Sequence, residues 1–375
     1  MIPPHLDGYE GRYDEDPRAA ARRWFEDASF GMFVCYGLYS LLGESVRTDE
    51  TSFGARFPAE WVQYGNRIPP AEYGLLEDHF TAEGFDAEAL ADLAQSCGMK
   101  YITFTAKFHD SFCLFDSSQT TFTSTNAPAG RDLVGELADA CQSRSLGLFL
   151  YYSHGIDWRH PHAPNNDKWG PPARPEYDRT PGVYARDGHD LEQYLKYVTD
   201  HAVELLSNYG PIAGIWLDPS SVPQRDTERF AAAFDLESFY ETIRTHQPHA
   251  LISYKEGVTG TEDFVTLEHE AVDEQFDLPG ELCTTMVPSR QFASGHSTIG
   301  HEDGDGINVS WGYSKEATGK HKTVDEVWAL LRDARRHGHN LLLNTGLLPD
   351  GSVDPEDGSV FREVGGRIEA DGFPG

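Results

Sequence analysis

Aromatic rings stand with carboxylates, histidines or other polar groups at four places in this chain, each just beyond a short apolar run. GMFVCYGLYS carries Cys35 and Tyr36, and YITFTAKFHDSF runs into Lys107, His109 and Asp110. LFLYYSHGIDWRHP offers Tyr152, His154, Asp157 and Trp158, and IAGIWLDPSS ends on Trp216 and Asp218. The segment PAEWVQYGNRIP adds Glu60 and Trp61. Rings beside hydrogen-bonding groups suit a polyhydroxylated ligand: a sugar stacks its C–H faces on Trp or Tyr and gives its hydroxyls to acids and imidazoles. Cleaving a glycosidic bond then needs two carboxyl groups, one to attack or activate water and one to protonate the leaving oxygen.

Asp218 is the best candidate for the first carboxyl, because it lies directly beyond an apolar strand where burial and nearby donors can tune it. The bland alternative is an aspartate capping the turn Pro219-Ser220-Ser221. The second carboxyl stays open among Glu268 and Glu270 in VTLEHEAVDE and Glu281 in PGELCTTM, all read as loop residues after the fifth strand. Other chemistries lack their marks: there is no G-x-S-x-G elbow, no H-E-x-x-H and no Cys-x-x-Cys. His109, Asp110 and His154 could hold a divalent metal, but that leaves the adjacent aromatics unexplained, so no metal or cofactor is expected.

These groups need a scaffold. Runs of strand length fall at Gly31–Tyr36, Tyr101–Ala106, Leu148–Tyr152, Ile212–Leu217, Ala250–Tyr254 and Asn340–Asn344. Amphipathic helical patterns alternate with them at Phe85–Cys97, Asp132–Ser143, Leu191–Asn208, Thr227–Thr245 and Val324–His337. Strand, polar loop and helix in repetition point to an α/β barrel with its chemistry at the carboxyl ends of the strands. A doubly wound sheet is the competing architecture, although no G-x-G-x-x-G follows the first strand. Between Tyr254 and Asn340 the pattern loosens, and strands six and seven are not placed. Ala163–Pro181 reads as a long surface loop.

Composition narrows the partners. The 375 residues carry 61 acids against 30 bases, eight of them lysine, for a net charge of −31. Such a field repels nucleic acid and anionic lipid, so neither is an expected partner. An acidic, lysine-poor surface also suits concentrated salt, where about 1 M shortens the Debye length to about 3 Å. No eighteen-residue apolar stretch occurs, and the N-terminus has no basic and apolar leader pattern, so a cytoplasmic location is expected. Five scattered cysteines, an odd number, read as free thiols rather than a disulfide framework.

Six blocks carry a resemblance: WFEDASFGMFVCYGLYS, EWVQYGNRIPPAEY, GMKYITFTAKFHDSF, RDLVGELADACQSRSLGLFLYYSHGIDWRHP, YGPIAGIWLD and NLLLNTGLLPDGSV. In this order they resemble the α-L-fucosidases of glycoside hydrolase family 29, over about Arg23 to the C-terminus. The resemblance implies one distorted (β/α)8 catalytic domain over 1–375, without the β-sandwich that often follows it. It also implies a retaining exo-glycosidase acting on α-L-fucosides or a related deoxy or modified sugar. The family's I-W-F-D-G block puts the nucleophile on Asp218. Glu60 and Trp61 match its E-W pair, His109 the second histidine of K-H-H-D-G-F, Tyr152 the tyrosine of Y-Y-S, and Trp216 the tryptophan before the nucleophile. For the acid/base, P-W-E-x-C resembles PGELC and favours Glu281, while T-P-E resembles TLE and keeps Glu268 as the alternative.

The departures concern the pocket. Cys35-Tyr36-Gly37 stands where the family reads H-W-G, Phe108 replaces the first histidine of K-H-H-D-G-F, Ser111 its glycine, and Gly280 the tryptophan before the acid/base pattern. Two lost imidazoles remove hydrogen bonds worth roughly 0.5–1.5 kcal/mol each. A different sugar, or a fucoside in a different pose, is therefore expected in the pocket. A catalytically inactive carbohydrate-binding barrel is the alternative function. Sequence does not assign an oligomeric state.

Overall fold

The computed structural model describes residues 2–43, 46–47, 56–170, 173–185, 188–218, 227–255, 261–269, 277–287 and 310–375. Eight parallel strands close into a barrel: β1 (Phe30–Cys35), β2 (Tyr101–Lys107), β3 (Gly147–Ser153), β4 (Gly214–Asp218), β5 (Leu251–Lys255), β6 (Phe264–Glu268), β7 (Gly280–Thr285) and β8 (His339–Gly346). Closure is direct, since β1 pairs with β8 on one side (Phe30 opposite Leu341) and with β2 on the other (Gly31 opposite Tyr101). Seven longer helices accompany the barrel: α1 (Pro17–Ala28), α2 (Ala87–Ser96), α3 (Leu133–Ser143), α4 (Leu191–Asn208), α5 (Leu236–His246), α6 (Val324–Arg336) and α7 (Pro355–Asp371).

The acid-rich sequence starts its helices well. Asp16, Asp86, Asp132, Asp190 and Asp354 each cap a helix by accepting a first-turn N–H, and Thr323 with Glu326 forms a reciprocal capping box on α6. The expected helix at Thr227–Thr245 is two, Thr227–Ala233 and α5, broken where Asp235 takes φ +46°. Strands six and seven, unplaced from sequence, are β6 and β7. Both are short, both carry an acid, and the described residues between β5 and β7 hold no helix to mark them. Asp263 at the entry to β6 instead takes Arg18 and Arg22 of α1, at 2.5 and 2.8 Å.

Helix α1 plugs the amino-terminal end of the barrel. Phe25 packs on Phe264 (4.2 Å between ring centroids), Tyr101 (5.6 Å) and Phe149 (5.8 Å), and Trp24 stacks over Phe149. Gly147 is required there, because a Cβ would stand 2.4 Å from the Trp24 ring. Above the plug sits a second aromatic layer of Phe33, Tyr151 and Trp216, with centroids 5.5–5.7 Å apart. The open, carboxyl-terminal end lies above that layer, where barrel chemistry belongs. All five cysteines are buried, and none is disulfide-bonded. No described helix is long and apolar enough to cross a membrane.

Candidate active site

Strand alternation decides which side chains enter the pocket. On β4, Trp216 and Asp218 point inward, and β3 sets Tyr151 opposite Trp216 and Ser153 opposite Asp218. The Tyr151 hydroxyl donates to Asp218 Oδ2 at 2.6 Å. Its neighbour Tyr152 faces outward, and its hydroxyl meets His201 Nδ1 of α4 at 2.8 Å. The expectation that Tyr152 binds substrate is therefore corrected by one residue: the pocket tyrosine is Tyr151. Tyr36 is corrected likewise, because its ring packs on Phe80 and Phe85 outside the barrel and its hydroxyl donates to the Pro349 carbonyl.

Asp218, the last residue of β4, is 3 % exposed at the barrel mouth. His109 Nε2 faces its Oδ2 at 3.9 Å, while His109 Nδ1 lies 2.6 Å from Ser153 Oγ. Burial holds the His109 imidazole down to about 3, so it is neutral at physiological pH. Trp61 and Trp158 meet the His109 ring edge-on, each at 5.2 Å, and Phe108 stacks against Tyr151 at 5.8 Å. Cys35 is buried on the same wall; burial, with the charges of Glu60 and Asp218 adding to it, raises its thiol far above the ordinary range. The wall formed by Cys35 and Phe108 thus offers no imidazole.

Glu60 follows β1 in a short 3-10 turn, Ala59–Trp61. Its Oε2 accepts from the Trp311 and Gly312 N–H groups at 3.1 and 3.0 Å and from the Ser310 hydroxyl at 3.3 Å. The contact ties Trp311 over the mouth, where it packs on Phe33 and His269. Gly346 permits this approach, since a Cβ would come within 2.6 Å of the Gly312 backbone. Glu60 Oε1 is buried and has no hydrogen-bond partner among the described residues, and burial, opposed by those three donors, raises the carboxyl to about 7.

Glu281 is not where a general acid works. It is the second residue of β7, fully buried, not a loop residue. Tyr101 donates to its Oε2 at 2.6 Å, and Trp216 Nε1 and Thr266 donate to its Oε1 at 3.0 and 3.3 Å. The Phe33–Tyr151–Trp216 layer separates it from the mouth, with the Trp216 indole donating down to Glu281 and the Tyr151 hydroxyl donating up to Asp218. Burial raises Glu281 to about 7, but a sealed acid cannot reach a leaving group. Glu268 closes β6 at the open end, partly exposed, with Lys255 Nζ of β5 at 3.0 Å from its Oε1. Glu270 lies outside the described residues.

His154 does not converge with His109 and Asp110. Its ring lies among Phe230, Phe234 and Tyr254, and Asp110 accepts from the Tyr73 hydroxyl and the Phe112 N–H. Among the described residues no group of three potential ligands is placed to hold a metal. Tyr151, Trp311 and Lys255 were missed from sequence. Alternation points to Tyr151 once the register with Trp216 is known, whereas Trp311 carries no local signal.

The family described as α-L-fucosidase matches residues 5–372. Rat tissue α-L-fucosidase is 35% identical over 147 residues, 37% of this chain and 30% of that protein, so this segment spans less than a third of that relative. Rat plasma α-L-fucosidase is 25% identical over 97% of this chain and 72% of its own length. The structure of the Lactobacillus casei α-L-fucosidase AlfC with α-L-fucose product superposes with a TM-score of 0.73 at 29% identity, over 93% of this chain and 98% of that one.

Proposed function

The chain belongs to the α-L-fucosidase family of glycoside hydrolases, and on that premise we propose that it is a retaining exo-glycosidase for an α-L-fucoside or a related deoxy sugar, with Asp218 as nucleophile. The observation that carries the reading is Asp218 itself. It is a nearly buried carboxylate at the carboxyl end of β4, oriented by the Tyr151 hydroxyl and ringed by Phe108, His109 and Trp216. A sugar bound there stacks on the rings and lends hydroxyls to His109 Nε2 and Glu60 Oε1. Asp218 attacks the anomeric carbon, the leaving oxygen takes a proton, and water later releases the sugar from the ester.

Glu268 is the acid/base in this proposal. It ends its strand at the same rim as Asp218, a substrate can reach it, and Lys255 fixes its carboxyl. A second reading, a barrel that binds sugar without cleaving it, is favoured by the loss of imidazoles at Cys35 and Phe108. A panel of nitrophenyl glycosides separates the two: turnover abolished by Asp218→Asn supports the enzyme, and binding without turnover of any member supports the alternative.

A further inference from the structure

We propose that the buried Lys107–Asp157 ion pair is a positioning device that holds His109 against Asp218. The proposal rests on the reading of the Asp218 pocket as a glycosidase site. Neither residue lines the pocket, and both side chains are fully buried, with Nζ 3.1 Å from Oδ2. A bulge puts Lys107 there. The register between β2 and β3 slips after Thr105, so that Thr105 pairs with Tyr151 but Lys107 with the outward Tyr152. Lys107 is thereby turned out of the barrel and lies over the Tyr152 ring, and the chain beyond it brings Phe108 and His109 back to the mouth.

Asp157 converts that turn into a clamp. Its Oδ2 also accepts from the Ser111 hydroxyl at 2.8 Å, and its Oδ1 accepts from the Arg159 and His160 N–H groups at 2.9 and 2.6 Å. The loops after β2 and β3 are thus bound to one carboxylate. They are joined again where the Trp158 N–H donates to the His109 carbonyl at 2.7 Å. Burial pushes the Asp157 carboxyl up, but Lys107, His160 and the two backbone donors outweigh it and hold the group down to about 2. Ser111 sits at φ +75°, a conformation that favours glycine, and its hydroxyl bond to Asp157 offsets that strain. A buried ion pair rarely adds stability over an apolar pair of the same shape; what it supplies here is a fixed geometry for His109.

The test combines kinetics with a readout that needs no turnover. Asp157→Asn should lower kcat/KM on the best nitrophenyl glycoside by roughly 10- to 100-fold. In a His109→Ala background the same change should cost nothing further, because Asp157 acts through His109. Equal losses in both backgrounds, or no loss in the first, would overturn the proposal. If Asp157→Asn does not fold, Ser111→Gly drops the hydroxyl bond and relaxes the backbone; its smaller loss should also vanish without His109, and persistence of that loss would overturn it. Nitrogen-15 NMR of the His109 ring decides the point even in an inactive protein. The Nδ1 signal should move toward that of a free imidazole in Asp157→Asn, and an unmoved signal would count against the clamp. Failure of the glycosidase reading is seen separately, as turnover that survives Asp218→Asn.

Discussion

His109 Nε2 stands 3.9 Å from Asp218 Oδ2, so the imidazole and the carboxylate face each other at the barrel mouth. The tautomer follows from the neighbours. The Ser153 hydroxyl donates to the Ile156 carbonyl at 2.8 Å, so its oxygen must accept from His109 Nδ1, which therefore carries the proton. Nε2 then presents a lone pair. In the proposed site, a sugar hydroxyl beside His109 would donate its one proton to this nitrogen.

Tyr151 also contacts Asp218, and removing its hydroxyl is the cleanest test of that orientation. A hydrogen bond to a charged group is worth about 1.5–3 kcal/mol, so Tyr151→Phe should lower kcat/KM roughly 10- to 150-fold. Tyr152→Phe, whose hydroxyl meets His201 on the opposite face of β3, should leave kcat/KM within about twofold of wild type, since the ring and the pocket face of the strand stay in place. Reversal of that order in steady-state kinetics would place the pocket on the wrong face of β3.

Glu268 and Glu281 separate by chemistry. Glu268→Ala should slow substrates with poor leaving groups far more than activated aryl glycosides, and azide should restore turnover with a glycosyl azide of retained configuration. Glu281→Gln should lower the melting temperature by disturbing three buried donors and show no azide effect. Azide rescue at Glu281 would return the acid/base to β7.

The pH dependence of stability has two limbs. Burial depresses His5, His109, His154 and His201 to about 3, so their contribution is full above about 6.5 and is lost as pH falls through 3. Burial raises Glu60 and Glu281 to about 7, so theirs is full below about 4.5 and is lost as pH rises through 7. Four histidines outweigh two carboxyls between these limits, and stability should rise with pH up to about 6.5. His5 packs on Trp24 far from the pocket, with His249 adding to the effect of burial. His5→Phe should flatten the acid limb by about 1.4 kcal/mol per pH unit without changing turnover. Denaturant melts across pH 4 to 6.5 measure the slope, and an unchanged slope refutes the assignment.

The proposed function assigns the choice of sugar to the wall that holds Cys35 and Phe108. A thiol donates weakly and a phenyl ring not at all, so a hydroxyl buried on that wall loses about 1–3 kcal/mol. Plain α-L-fucosides should be poor substrates, and the favoured sugar lacks or modifies a hydroxyl there. Cys35→His with Phe108→His should raise activity on a nitrophenyl α-L-fucoside. Vigorous hydrolysis of that substrate by the unmodified protein would sink this idea while leaving Asp218 untouched.

Much of the barrel was legible because apolar strands alternate with amphipathic helices, and Leu191–Asn208 falls where its periodicity puts it. β6 and β7 were not, since five- and six-residue strands bearing Glu268 and Glu281 lack an apolar run, and no described helix stands between β5 and β7 to mark them. Residue type located the pocket through Asp218, His109 and Trp61, but choosing Tyr151 over Tyr152 needs the β3–β4 register. The motif resemblance at PGELC drew Glu281 toward catalysis. Only its position in the strand, under Trp216 and against Tyr101, shows it sealed.

The most direct test of Asp218 as a nucleophile is the configuration of the first sugar released. A retaining site holds its two carboxyl groups roughly 5–5.5 Å apart, too close for an intervening water, so under the proposed mechanism the sugar would pass through an ester with Asp218. Proton NMR during the first minutes of hydrolysis of the best substrate, before mutarotation, should show the α-anomer from an α-glycoside. Appearance of the β-anomer first would contradict the double displacement and with it the role of Asp218.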